Sequence, residues 1–404
     1  MGSIHDRQEG VLLGTAAGDA LGAPFEFGGP LGPEIEVSMS GGGVWGPGEW
    51  TDDTAMMVAI AEAAADGLDL RGQVAQDRIV ERWRQWSRNT KDIGIQTSEV
   101  LRNATSDGTV TAARARTQSE RLHRNTGRTA GNGSLMRTAP VALAYLDDEA
   151  AMVEAARVIS ELTHWDPLAG DACVLWCSAI RHAVLTGQID VRVGLRHLPA
   201  DRRADWAGHL DLAEALQPSD FPHNGFVVQA LQGAWSAIHH TPEPVDDPST
   251  GRFRADRLRL ALEAAVRGGR DTDTVAAIAG GLLGAAYGAS AVPLDWKRKL
   301  NGWPDANARY LIELASAIER KGAPDTFDYT YPDSPVDTMV RHPYDDKVVL
   351  GAVGVLRNLP EDVSAMGADE VIRDVCAVLP GTNPNKAFRA ALKRLQDGGH
   401  HANA

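Results

Sequence analysis

The chain has 404 residues, 43% of them hydrophobic, and carries 54 Asp and Glu against 40 Lys and Arg, a formal net charge of -14. This supports a sizeable core and argues against broad binding to nucleic acid or anionic membrane, so a phosphate-bearing ligand would need backbone amides, a metal ion or a few arginines. Cys173, Cys177 and Cys376 exclude a disulfide framework and, with no signal pattern in residues 1–6 and apolar stretches interrupted before the roughly 20 residues of a membrane span, lead to the expectation of a soluble, cytoplasmic protein.

Val11, Leu12, Ala16, Ala20 and Leu21 recur at spacings of three and four and predict a helix ending at Gly22. Met57, Ile60, Ala61 and Ala64 place a second helix over 54–65, with Gly67 as its stop. Further helices are predicted over 79–86, 149–162, 170–185, 225–239, 257–266, 275–287, 306–321, 348–358 and 385–395. The stretches 105–129, 217–223, 241–251 and 322–346 read as loops, the last with a Pro-rich aromatic flap at 325–343. Alternating strands are scarce, no linker divides the chain, and Ala and Gly within helices predict closely approaching axes. The expectation is therefore one all-α domain over 1–404. Cys173 and Cys177 share a helix face and read as core residues, since no further Cys or His accompanies them as a zinc set.

Two short clusters echo each other. Thr51-Asp52-Asp53-Thr54 precedes one Ala-rich helix, and Asp271-Thr272-Asp273-Thr274 precedes another. Asp and Thr are preferred helix caps, which explains one side chain per helix but not two adjacent acids or a D-T-D-T run. If the two helix starts converge, four carboxylates would crowd one pocket and repel strongly unless cations held them. An all-oxygen set suits hard ions such as Mg²⁺ or Mn²⁺, and a pair about 3.5–4 Å apart is a recurring catalytic arrangement. Gly131-Asn132-Gly133-Ser134 permits close backbone approach to an anion, although such a run is usually a turn. Glu26 lies on a loop leaving the first helix and could reach a pocket as acid or base, although a solvated glutamate is the simpler reading, and Asp19 reads as structural. His164 stands at a helix end, where a cap or core role is more usual than catalysis.

Taken in order, GTAAGDALGAPFEF (14–27), WTDDTAMMVAIAEA (50–63), KDIG (91–94), GNGSLMRTAPVAL (131–143), TH (163–164) and GGRDTDTVAAIAGGLLGAAYG (268–288) resemble the ADP-ribosylglycohydrolase family. The resemblance spans about 10–300 and leaves 301–404 as a helical extension, beyond an Asn301-Gly302-Trp303 run that resembles a common family ending. It implies a compact multi-helix fold around a binuclear cleft holding two Mg²⁺, or Mn²⁺, on Thr51, Asp52, Asp53, Asp271, Asp273 and Thr274. It further implies Asp92 near the substrate ribose, Gly131, Asn132, Gly133 and Ser134 on the diphosphate, His164 lining the ligand site and Glu26 over the metals.

The activity implied is hydrolysis at C1'' of the distal ribose, releasing ADP-ribose from a modified protein or a small ADP-ribose derivative. Proton transfer would fall to an acid drawn from Glu26, Asp52, Asp53 and Asp92. Arginine is the favoured acceptor by family prevalence, with serine and small molecules as alternatives. A non-catalytic relative that kept the fold would have lost cluster acids, and all are present here. A binuclear phosphohydrolase would prefer His ligands, and the clusters contain none.

Overall fold

The structure, a computed structural model, describes residues 3–321. Its helices are α1 (Ile4–Gly22), α2 (Asp52–Ala65), α3 (Gln73–Trp86), α4 (Ile95–Ala104), α5 (Ala112–Thr126), α6 (Ala139–Ala144), α7 (Glu149–Glu161) and α8 (Pro167–Thr186). They continue with α9 (Ala200–Ala215), α10 (Val227–His240), α11 (Asp256–Arg267), α12 (Thr272–Tyr287), α13 (Leu294–Lys299) and α14 (Ala308–Glu319). Among the described residues the only named strands are β1 (Asn301–Gly302) and β2 (Ala306–Asn307), an antiparallel pair. The fold is all-α.

The centre is made by α1 and α12. Neither is amphipathic: from Val11 to Gly22, and from Thr272 to Ala286, every residue is buried. Helices buried on all sides can pack closely only through small residues, and the two chains of glycines supply them. A β-carbon added at Gly14 would collide with the Gly280 carbonyl, one at Gly10 with the Gly284 carbonyl, and one at Gly18 with the Ala276 carbonyl. At the end of this seam Gly22 lies against the Asp273 backbone. The four-residue spacing of Gly10, Gly14, Gly18 and Gly22 thus lays α1 along α12 and delivers the last turn of one to the first turn of the other.

Around this pair α2, α6, α8 and α10 fill the core, while α3, α5, α7, α11 and α14 show one buried and one more solvated face. Helix α8 is long and apolar enough to cross a membrane, contrary to the expectation from sequence, but 78% of that window is buried within the protein. Its Asp171 is fully buried between Arg157 at 2.7 Å and Arg202 at 2.5 Å. Cys173 and Cys177 are buried and free on the same helix.

Other departures have local causes. The expected loop 105–129 contains α5, capped by Thr111 accepting from Arg114 N–H and closed by Gly127 in left-handed backbone; its buried face is only Ala112, Ala115 and Ser119, too polar and small to register as a hydrophobic stripe. Helix α9 carries no legible apolar stripe because Trp206, Leu210 and Ala213 sit among charges, and α4, α6 and α13 are short. Residues 306–307 form β2 rather than the start of a helix. The expected helices at 348–358 and 385–395, the flap at 325–343 and Cys376 lie outside the described residues.

Candidate active site

Two helix starts meet, as the echo required. Thr51 is the N-cap of α2 and Asp271 that of α12, yet neither side chain caps its own helix. The capping of α2 comes instead from α1: the Asp19 carboxylate accepts from Thr51 N–H and Thr54 N–H, each at 2.9 Å. This cross-helix cap leaves Thr51 and the first-turn acids free for other work. The segment before α2 is held by the β1 hairpin, with Trp50 N–H donating to the Asn301 carbonyl at 3.0 Å and the Trp50 indole to the Trp303 carbonyl at 3.2 Å.

Carboxylate oxygens of Asp19, Asp53 and Asp273 lie within 4.8 Å of one another in a buried group, and those of Glu26, Asp271 and Asp273 do so in a more open one. Asp273 belongs to both. One Asp53 oxygen, Oδ2, accepts from the Thr51 hydroxyl at 3.0 Å and the Thr274 hydroxyl at 3.5 Å. The other, Oδ1, is buried with no partner at all. An orphaned carboxylate oxygen surrounded by further acids and hydroxyls is a poor arrangement for an empty protein interior and a good one for a hard cation.

Electrostatics agree. Burial first, and the neighbouring carboxylates second, push Asp52, Asp53 and Asp273 above the usual carboxylate range, the latter two far above it. Burial raises Asp19 and Asp271 as well, partly offset by hydrogen bonds from Thr54 and Thr51 in one case and from Asn132 in the other. Glu26, half-buried, is pushed up to about 8 by burial and then by Asp271, Asp92 and Asp52. Burial and mutual repulsion thus favour protonated carboxyls in this cluster, and bound positive charge would favour the ionised ones.

The remaining predicted residues form the surroundings. Asp52 is half-buried and accepts from Gly94 N–H at 3.4 Å, which joins the cluster to the loop carrying Asp92; the Asp92 carboxylate itself accepts from Ile93 N–H at 2.8 Å. Asn132 donates through its amide to Asp271 at 2.8 Å and to the Asn224 carbonyl at 2.8 Å. The Ser134 hydroxyl is buried and accepts from Ser160 at 2.9 Å, so its side chain faces the core. His164 is also buried, behind the loop: a β-carbon on Gly133 would lie 3.0 Å from its Cε1, and one on Gly131 3.3 Å from its Nε2. Burial and the Arg137 charge hold this imidazole well below its usual pKa, hence neutral.

Three contributors escaped the sequence reading. The structural role that the sequence suggests for Asp19 is the capping of α2, and its place in the inner acidic group is visible only in the fold. Asn224 braces the site, its side chain accepting from Asp271 N–H at 3.2 Å and donating to the Gly269 carbonyl at 3.0 Å. Gln96 ties α4 to the carbonyls of Thr129 at 3.2 Å and Thr163 at 2.8 Å. The sequence marks Asn224 only by its place in His223-Asn224-Gly225, an ordinary turn signal.

The sequence model of the ADP-ribosylglycohydrolase family matches residues 2–325. The chain belongs to the ADP-ribosylglycohydrolase family. It is an enzyme, a hydrolase. Over 325 residues it is 30% identical to the ADP-ribosyl-[dinitrogen reductase] glycohydrolase of Rhodospirillum rubrum, covering 78% of this chain and 97% of that one. It is 30% identical over 305 residues to the ADP-ribosylarginine hydrolase Tri1 of Pseudomonas putida (strain GB-1), covering 73% and 74%, and 25% identical to human ADP-ribosylhydrolase ARH3, covering 67% and 78%. A solved structure described as an ADP-ribosylglycohydrolase-related protein complex aligns at a TM-score of 0.54 with 27% identity, over 80% of this chain and 99% of that one. Membership in this ADP-ribosylglycohydrolase family fixes the reaction class; the acids at the two helix starts are the residues of this chain that suit it.

Proposed function

We propose that this ADP-ribosylglycohydrolase cleaves the bond between C1'' of an ADP-ribosyl group and the arginine of a modified protein, in the cytoplasm, with two divalent cations held by Thr51, Asp52, Asp53, Asp271, Asp273 and Thr274. The observation that carries the reading is the inner and outer acidic groups joined through Asp273, with the Oδ1 atom of Asp53, a member of the inner group, unpartnered. Asp19 and Glu26 stand close enough to join the inner and outer groups. Magnesium or manganese bound there would supply the positive charge that polarises the ribose hydroxyls and an attacking water. Arginine is preferred because one relative of 30% identity is an ADP-ribosylarginine hydrolase.

The chain's own groups divide the remaining work. Gly131 and Gly133 let the loop backbone approach the diphosphate, and Asn132 links that loop to Asp271, so binding and chemistry share a frame. Asp92, whose charge acts on Asp52, would accept from a ribose hydroxyl. Glu26 stands in the more open acidic group beside Asp271 and Asp273, which suits it to protonate the departing guanidine nitrogen.

The test is release of free ADP-ribose from arginine-linked and serine-linked protein, with Mg²⁺ or Mn²⁺ and with EDTA. Metal-dependent release from the arginine substrate is expected, abolished in Asp53→Asn/Asp273→Asn and reduced about 10²–10⁴-fold in kcat in Glu26→Gln. Release from the serine substrate alone would overturn the acceptor, and metal-independent release would overturn the cation roles.

A further inference from the structure

Glu26 is followed by Phe27 and Asp271 is preceded by Arg270, and both neighbours hold left-handed backbone, with φ of 63° and 70°. They are tied together: Phe27 N–H donates to the Arg270 carbonyl at 2.6 Å, and Arg270 N–H donates to the Gly28 carbonyl at 2.7 Å. This bridge explains why Glu26 stands beside Asp271. It does not explain the residue types.

Left-handed backbone is strained for a residue with a β-carbon, and a bulky residue there is an outlier. Glycine would make the same bridge without that strain, and the chain has glycines immediately alongside, at Gly28, Gly29, Gly268 and Gly269. Packing within the chain does not compensate either. Phe27 is 83% exposed, and Arg270 is exposed with no hydrogen-bond or ion-pair partner for its guanidinium among the described residues. A phenyl ring kept in water, in strained backbone, one residue from a site acid is explained by a contact made only when substrate is bound.

We propose that Phe27 and Arg270 form the acceptor edge of the cleft, the ring packing on the polypeptide that bears the ADP-ribosyl group and the guanidinium pairing with an acidic side chain next to the modified residue. The inference rests on the hydrolase reading above and adds the substrate's surroundings. The side of the cleft follows from the connections to Asp271. The glycine-rich loop reaches that residue through the Asn132 amide, whereas Phe27 reaches it through the Arg270 backbone. With the diphosphate along the loop, the Phe27 side of Asp271 is left to the acceptor rather than the adenosine.

The experiment uses the metal-loaded full chain and two ADP-ribosylated peptides carrying the acceptor that wild type hydrolyses, one with Glu and one with Lys beside the modified residue. Phe27→Gly is expected to melt at or above the wild-type temperature, since strain is relieved. Its KM should rise about five-fold, the size of a lost aromatic contact, while inhibition by free ADP-ribose stays unchanged. Phe27→Trp should restore KM, and Arg270→Gly should erase the preference for the Glu peptide while leaving Phe27-dependent binding intact. An unchanged KM in Phe27→Gly, or weakened ADP-ribose inhibition in step with KM, would overturn the acceptor edge in an enzyme that remains a hydrolase. A wild type that releases ADP-ribose from no acceptor would overturn the hydrolase reading and the edge together.

Discussion

Asp53 has one oxygen shared by two threonine hydroxyls and the other unpartnered, within reach of Asp19 and Asp273. Each acid of this cluster binds its proton more tightly in the folded chain than in the unfolded one: Asp19 is raised to about 6, Asp52 to about 7 and Glu26 to about 8, Asp271 is raised, and Asp53 and Asp273 stand well above the usual range. From the ordinary carboxylate range near about 4 up through about 8, the folded state therefore holds more protons, and its stability falls as pH rises. The metal-free protein should lose melting temperature steadily through this window, and saturating Mg²⁺ or Mn²⁺ should flatten the loss, contributing about 2.7 kcal/mol at a hundred times Kd. Asp53→Asn should raise the metal-free melting temperature at the alkaline end and lose the cation-induced gain. Calorimetry across the window, in EDTA and in cation, checks both; identical curves would remove the cation from the site.

At the scale of elements, the α1–α12 seam carries the geometry. Gly14→Ala places a methyl into the Gly280 carbonyl, backbone against backbone, where no rotamer can yield. A loss of about 1–3 kcal/mol or more is expected by urea denaturation, together with weaker cation-induced stabilisation, because the same seam brings Asp19 to Asp273. Stability loss without any change in the cation effect would separate the seam from the site. The opposite end of α1 is tied to α14 through His5, whose ring meets Glu319 at 2.6 Å and Glu9 at 3.0 Å. The Glu9 hydrogen bond leads in raising its pKa from 6.5 to about 9, against the cost of burial. Because the folded value is the higher, the stabilisation is complete below 6.5 and is lost as pH rises through about 9. His5→Gln should flatten that alkaline decline in thermal melts, by a small amount, since the ring is half-exposed and solvent screens the pair. Elements whose buried face is made of Ala and Ser, such as α5, or of three residues among charges, such as α9, gave no legible stripe, whereas α1, α2 and α12 announced themselves through repeated small and apolar residues.

Over the whole molecule, the sequence by itself determined the all-helical class, the two acidic helix starts and the family, because helical periodicity and clustered oxygen donors are local patterns written in adjacent residues. The net charge of -14 is likewise additive and needs no fold. Only the tertiary structure decided that the two helix starts converge, that Asp19 caps a helix not its own, that Asn224 braces Asp271, and that His164 supports the glycine-rich loop from behind. Such roles depend on contacts between residues tens to hundreds of positions apart, set by the close approach of α1 and α12. A one-dimensional pattern holds the glycines that permit this approach but not the partners it brings together.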